Sequence, residues 1–399
     1  MGRWLATPVT TSRLLIFLAV VLTITIGGHA LIAWRLGSSL SPASQRLLRI
    51  LVALNAVLVI GAGIGGRTLP DGALSTAFSL VGFSCMGLFA LFFAGTLAAD
   101  GLRLLGWAGL GAAKLAGGPE VDPARRAMLS GALNLGVIGA ASGLGAASMI
   151  GAQRAVAVKL VPITVTGRAA GLAGLKIVQI TDIHIGPTIK GDFLAEVVRK
   201  VNALNPDIVA ITGDLVDGSV AELGRHTAVL AELKARHGVY FVTGNHEYYS
   251  GAEAWLDEVR RLGLTVLMNE HVLIEHDGAK LLLAGVTDYT AERMIPEHAS
   301  SPLVAAEGAP DADYRLLLAH QPASAYEASE AGFDLQLSGH THGGQFFPGT
   351  ALIHLAHPVA KGLGKVGRTL VYVSCGTGYW GPPFRLGAPA EITEVVLVT

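Results

Sequence analysis

Residues 175–184, LKIVQITDIH, and 207–217, DIVAITGDLVD, each run a short apolar stretch straight into an acidic turn. β-Branched residues dominate 175–180 and 207–212, and Asp182 and Gly213-Asp214 follow almost at once. Between the two stretches, Leu194, Val197, Val198, Val201 and Leu204 recur at helical spacing over 193–204. Residues 220–236 also read as helix, and a third strand at 239–243 ends at Gly244-Asn245. Strands alternating with helices, each strand ending in polar residues, predict loops gathered at one edge of an α/β layer. Further strands are expected at 281–286, 314–319, 334–337, 370–373 and 392–398. The expected fold class is α/β, with two packed sheets and helices outside them in an α/β/β/α arrangement.

Five motifs stand at or near these strand ends in fixed order. They are Asp182-Ile-His184, Gly213-Asp214-Leu-Val-Asp217, Gly244-Asn245-His246-Glu247, Ala319-His320-Gln321 and Gly339-His340-Thr-His342-Gly343. Together they offer carboxylate oxygen, amide oxygen and imidazole nitrogen, the donor set of a hydrolytic pair of divalent metals. Each motif alone is common by chance, and an Asp after a strand more often caps a turn than binds metal. Coincidence does not account for all five in one order. The flanking glycines permit tight turns and close backbone approach to a phosphate.

The first 150 residues are of a different kind. The chain has 399 residues, 51% hydrophobic and only 15% charged, and the apolar excess sits almost entirely there. Apolar runs at 13–34, 47–66, 73–99 and 128–152 each approach the ~20 residues needed to cross ~30 Å of hydrocarbon. The first is too long for a cleaved leader and three more follow, so retained spans are expected. The predicted division is a four-helix transmembrane region over 1–153 and a second domain over 154–399, with 102–115 lying along the membrane surface. Arg35, Arg46, Arg49, Arg103, Lys114, Arg125 and Arg126 fall on one side of the spans. Arg3, Arg13, Arg67, Arg154 and Lys159 fall on the other. That bias puts the richer connectors in the cytoplasm and the second domain outside. A net charge of −1 gives no footing for nucleic acid, and Cys85 and Cys375 are read as unpaired.

The pattern D-x-H, GD-x-x-D, GNH-[DE], H, GH-x-H resembles that of the calcineurin-like metallophosphoesterases, over roughly residues 172–399. The chain looks like a membrane-anchored bacterial member. Its GHTHGGQ block is similar to the subgroup that includes phosphodiesterases and UDP-diacylglucosamine pyrophosphatases. The resemblance implies two divalent ions (Mn, Fe or Zn), the first on Asp182, His184 and His342, the second on Asn245, His320 and His340, with Asp214 bridging. It implies His246 as the group that protonates the leaving oxygen, and in-line attack by a metal-bridging hydroxide on a phosphodiester or pyrophosphate. Asp217 is expected to fix the loop or orient a histidine. The anchor adds an integral place in a bacterial inner membrane and a lipid- or envelope-linked substrate. Two other readings stand beside this one: a phosphomonoesterase or broad nucleotide hydrolase, and a non-catalytic metal-binding membrane sensor. The sensor would have no use for His246. In the loop 376–385, GTGYWGPPFR, Arg385 is a candidate for meeting phosphate, though the loop also reads as ordinary packing.

Overall fold

The computed structural model describes residues 11–68, 72–116 and 122–399; Arg3 lies outside them. The chain divides into two compact units, the first Met1–Ile150 with Pro382–Phe384 and the second Gly151–Gly381 with Arg385–Thr399.

The N-terminal unit contains four helices: α1 (Thr11–Gly37), α2 (Pro42–Thr68), α3 (Ala73–Leu115) and α4 (Pro123–Ala152). All four are long and apolar enough to cross a membrane. Their outward side chains include Val20, Ile24, Ile50, Leu54, Val57 and Leu135, all exposed. Water would penalise apolar surface on that scale, and hydrocarbon would not. Small residues let the helices approach, since a Cβ on Gly82 would lie 2.2 Å from that of Ala62. Helix α3 has 43 residues and runs unbroken through 102–115, where a separate surface segment was expected. At 1.5 Å per residue it is about 65 Å long, roughly twice a bilayer's hydrocarbon. A polar knot sits just past Ala99. Arg35 Nε and Arg103 Nη1 donate to Asp100 at 2.8 and 2.6 Å. Buried Asn134 accepts from Arg103 Nη2 and donates to the Arg35 carbonyl at 2.9 Å.

The C-terminal unit holds two six-stranded sheets. The first is built from β1 (Ala157–Thr164), β2 (Lys176–Ile180), β3 (Ile208–Thr212), β4 (Val239–Val242), β5 (Thr265–Val266) and the last strand, β12 (Glu391–Val398), in the order β1-β12-β2-β3-β4-β5. The second is built from β6 (Glu270–His276), β7 (Ala279–Gly285), β8 (Tyr314–Leu318), β9 (Leu335–Ser338), β10 (Gly362–Val366) and β11 (Thr369–Val373), in the order β10-β11-β9-β8-β7-β6. Strands β2 to β5 are mutually parallel, as are β7, β8, β9 and β11. Helices α5 (Gly191–Ala203), α6 (Val220–Thr227), α7 (Asn245–Ser250) and α8 (Ala252–Arg261) belong to the β2–β5 half.

Period-2 alternation explains how a strand serves two cores. Ile177, Ile208, Val242, Leu281, Leu316 and Leu337 fill the space between the sheets. Val178, Val209, Ile211 and Phe241 turn the other way, onto Leu194, Val197, Val201 and Trp255. Ala284, Leu317 and Ala319 cover the far face of the second sheet with Ala328 and Phe333. The layers are those the sequence predicted. Strands β1, β5, β6 and β10 were not expected, and the helix predicted over 220–236 stops at Thr227, with a short 3-10 turn to Glu232. Past that turn, Asn202 of α5 holds the Glu232 carbonyl at 2.8 Å and the Lys234 N–H at 2.9 Å, so no helix runs on to 236.

Candidate metal centre

Strand direction assembles the site. Asp182, Asp214, His320 and His340 each stand two residues past the C-terminal end of β2, β3, β8 and β9, and Asn245 opens α7 just past β4. Because those strands run parallel within their sheets, the five residues reach one edge. The loops are stitched together: the Asp182 N–H donates to Gly213 O at 3.1 Å and the His184 N–H to Asp214 O at 3.1 Å. The Gly339 N–H donates to His320 O at 3.0 Å.

Two groups of donors result: Asp182, His184 and His342, and Asp214, His320 and His340. In the first, His184 Nε2 and His342 Nε2 face each other at 3.0 Å, with Asp182 Oδ1 3.4 Å from the latter. In the second, His320 Nε2 lies 3.1 Å from Asp214 Oδ2 and 3.2 Å from His340 Nδ1. Asp214 Oδ2 also lies 3.8 Å from His184 Nε2, so one carboxylate oxygen stands between the groups. Asn245 Oδ1 is buried with no hydrogen-bond partner. A buried amide oxygen left without a partner is costly in a metal-free protein, and a divalent cation would remove the cost. The donor set therefore fits divalent metals.

Backbone strain is concentrated here. Of nine non-glycine residues with positive φ among those described, Asp182, His184, Asp214, His340 and His342 are five. Each such residue costs on the order of 1–3 kcal/mol and persists only where its surroundings over-determine it.

The outward ring nitrogens of His184 and His320 have their own partners. The His320 Nδ1–H donates to Thr212 O at 2.8 Å, leaving Nε2 with its lone pair. Asp217 Oδ1 accepts from His184 Nδ1 at 3.2 Å and from His246 Nδ1 at 2.5 Å. Burial opposes ionisation of Asp217, but the two histidines outweigh it and hold the carboxyl well below its usual range. Against burial, Asp217, Asp214 and Asp182 raise His184 to about 9. His340 is pushed down to about 3 by burial and by His320. His246 is half-buried at the mouth, its Nε2 4.0 Å from Asp214 Oδ2.

The profile described as Calcineurin-like phosphoesterase matches residues 175–344. The Danio rerio "Transmembrane protein with metallophosphoesterase domain" is 36% identical over 368 residues, covering 88% of this chain and 81% of that protein. Its Bos taurus counterpart is 38% identical over 335 residues, 80% of this chain and 74% of that one. The chain belongs to the calcineurin-like metallophosphoesterases. A Helicobacter pylori "Uncharacterized metallophosphoesterase" is 41% identical over 236 residues, 56% of this chain and 60% of that protein. This metallophosphoesterase is thus a metal-dependent phosphoester hydrolase with four apolar helices preceding its catalytic domain. The Danio rerio and Bos taurus relatives are vertebrate and the Helicobacter pylori relative is bacterial, so the family spans both kinds of cell.

Within the metallophosphoesterase domain, Arg385 does not stand at the mouth. It is 2% exposed, and its guanidinium donates to the carbonyls of Cys375 (2.6 Å), Ala388 (3.1 Å), His342 (3.3 Å) and Gly378. Its Nη2 lies 3.0 Å from His342 Nδ1, so Arg385 braces that loop instead of meeting phosphate. The loop's residue at the mouth is Trp380, exposed, with its ring centroid 5.5 Å from that of His246. Tyr249, also exposed, lies 5.3 Å from the same ring on another side.

The sequence reading gave Glu247 no role. Its carboxylate accepts from the N–H groups of Gly244 (2.6 Å), Leu215 (2.7 Å) and Asp214 (3.0 Å), tying the β3 loop to the start of α7. Burial pushes Glu247 up to about 7, whereas three backbone donors favour the ionised form. The available signal was its place three residues after Gly244, the capping-box offset. Gly244 is equally constrained, since a Cβ there would lie 2.2 Å from Asp214 Oδ1. Gly244→Ala is expected to displace that carboxylate and lower turnover about 100-fold, as an ångström-scale misplacement does. Kinetics beside a circular dichroism spectrum check this, and activity within a few-fold of wild type would mean that the carboxylate tolerates the methyl group.

Proposed function

We propose that the protein hydrolyses phosphodiester or pyrophosphate bonds using two divalent ions (Mn, Fe or Zn). Asp182, His184 and His342 would hold one, Asn245, His320 and His340 the other, with the Asp214 carboxylate placed to serve both. The observation that carries this is the position of Asp214 Oδ2, 3.1 Å from His320 Nε2 in one group and 3.8 Å from His184 Nε2 in the other. When bound, such a pair neutralises phosphoryl oxygens and supplies a nucleophile at neutral pH. The chain's own residues do the rest. Asp217 orients His184 and His246 through their Nδ1 atoms, and His246 Nε2 is left to protonate the leaving oxygen. Trp380 and Tyr249 offer aromatic faces on the leaving-group side.

A lipid- or envelope-linked substrate is proposed because four helices long and apolar enough to cross a membrane precede the catalytic domain in the chain. The excess of arginine and lysine on one side of the spans, seven against five, supports a domain facing away from the cytoplasm of a bacterial inner membrane. The test is hydrolysis by the detergent-solubilised full chain, chelator-stripped and then given Mn²⁺, on bis-p-nitrophenyl phosphate and on p-nitrophenyl phosphate. Restored turnover with the diester preferred supports the proposal. Preference for the monoester moves it to the phosphomonoesterase reading, and a metal-loaded protein inactive on both moves it to the sensor.

A further inference from the structure

A further group of potential metal ligands lies at the other end of the strands. Asp207 immediately precedes β3, His237 stands two residues before β4, and His276 ends β6. One donor atom from each lies within 4.8 Å of the others. Asp207 and Asp214 flank β3 on opposite sides, so this group is separated from the candidate metal centre by about five residues of strand, or ~16 Å. No motif of the catalytic pattern includes any of the three residues.

The three are held in place without the help of an ion. The Asp207 N–H donates to Lys176 O at 2.9 Å, and Asp207 Oδ2 accepts the Lys176 N–H at 2.9 Å, which fixes the carboxylate. The His237 N–H donates to Asp207 O at 2.7 Å, and the His237 carbonyl accepts from Tyr240 Oη at 2.8 Å. His276 is only 5% exposed, and its Nδ1 lies 3.0 Å from His237 Nε2, with the ring planes 70° apart. Asp277, next in the chain, stands 3.6 Å from the other His276 nitrogen.

We propose that Asp207, His237 and His276 form a third metal site, for a Zn²⁺-class ion, that clips the first sheet to the β6–β7 hairpin of the second. The donors are of the right kind: two imidazoles and one carboxylate suit Zn²⁺, and three protein ligands leave a fourth position for water. The spacing is nearly right as well. Bonds of ~2.0–2.1 Å in tetrahedral geometry put ligand nitrogens about 3.3 Å apart, so the two rings need to part by only a few tenths of an ångström. His237 is half-exposed and gives the ion access. The alternative arrangement is a plain hydrogen bond between two neutral imidazoles.

Metal counting separates the two. The full chain in detergent is stripped with chelator, reloaded with Zn²⁺, dialysed against metal-free buffer and analysed for zinc, beside His237→Gln and His276→Gln. Phosphoester hydrolysis with metal restored serves as the control for folding and catalytic loading. Each variant is expected to hold one zinc fewer per chain than wild type, with hydrolysis within about twofold. Reconstitution with Co²⁺ is expected to give a visible d–d band component that both variants lose. Equal zinc in wild type and His237→Gln overturns the site, as does a cobalt spectrum insensitive to that change. Should the buried His276 variant fail to fold, the half-exposed His237 decides alone. The difference between wild type and variant does not depend on how many ions the catalytic centre holds.

Discussion

Asp214→Asn is expected to lower kcat by about three orders of magnitude or more and to reduce the metal content of the protein. Its Oδ2 lies within 4 Å of donor atoms from both groups, at 3.1 Å from His320 Nε2 and 3.8 Å from His184 Nε2. Its Oδ1 accepts the His246 N–H at 2.9 Å. An amide of the same shape keeps one oxygen, loses the negative charge and turns an NH₂ group toward cations or imidazole nitrogens. Losing several kcal/mol of charge stabilisation, at 1.36 kcal/mol per decade, gives the thousandfold figure. The check is steady-state kinetics with metal analysis after dialysis. Wild-type metal content and a loss of less than tenfold would remove Asp214 from the bridge.

His246→Gln is expected to lower kcat by about 10²–10⁴ while leaving metal content unchanged. Its Nδ1 is held 2.5 Å from Asp217 Oδ1, which leaves Nε2 to face the mouth beside Trp380 and Tyr249. A group that protonates the leaving oxygen matters most when that oxygen leaves badly. The loss should therefore be large for an alkyl phosphodiester and small for a p-nitrophenyl ester, whose phenolate departs without help. An equal loss on both substrates would assign His246 to orienting the phosphate instead. The same comparison separates His246 from Asp217, because Asp217 also holds His184 and its loss would affect metal retention.

The layered α/β/β/α domain was legible because its central strands are buried on both faces and end in polar turns. Ile177 and Val178 illustrate it: adjacent residues face different cores, and a run of such residues reads as a strand in any context. Strands β1 and β10 were missed for the converse reason. Residues 157–160 are all exposed, and β10 is the glycine-bearing GLGKV, so neither carries a strong pattern of its own. What makes them strands is the ladder each joins, β12 for the first and β11 for the second. The helix expected to reach 236 was drawn too long because Asn202, 30 residues before Glu232, takes the backbone groups of Glu232 and Lys234 out of any helical ladder.

The same division runs through the site. The sequence by itself determined the donor types, their order and their delivery to one edge, because each follows a parallel strand and strand direction fixes where a loop emerges. Only the tertiary structure decided which nitrogen faces which oxygen. It set Asp214 between two donor groups, gave Asp217 to two histidines, and turned Arg385 inward onto backbone carbonyls. It also brought together Asp207 and His237, which lead into two strands of the first sheet, and His276, which ends a strand of the second. Chemical identity and period are local properties, whereas a distance between residues 70 positions apart depends on how whole sheets pack.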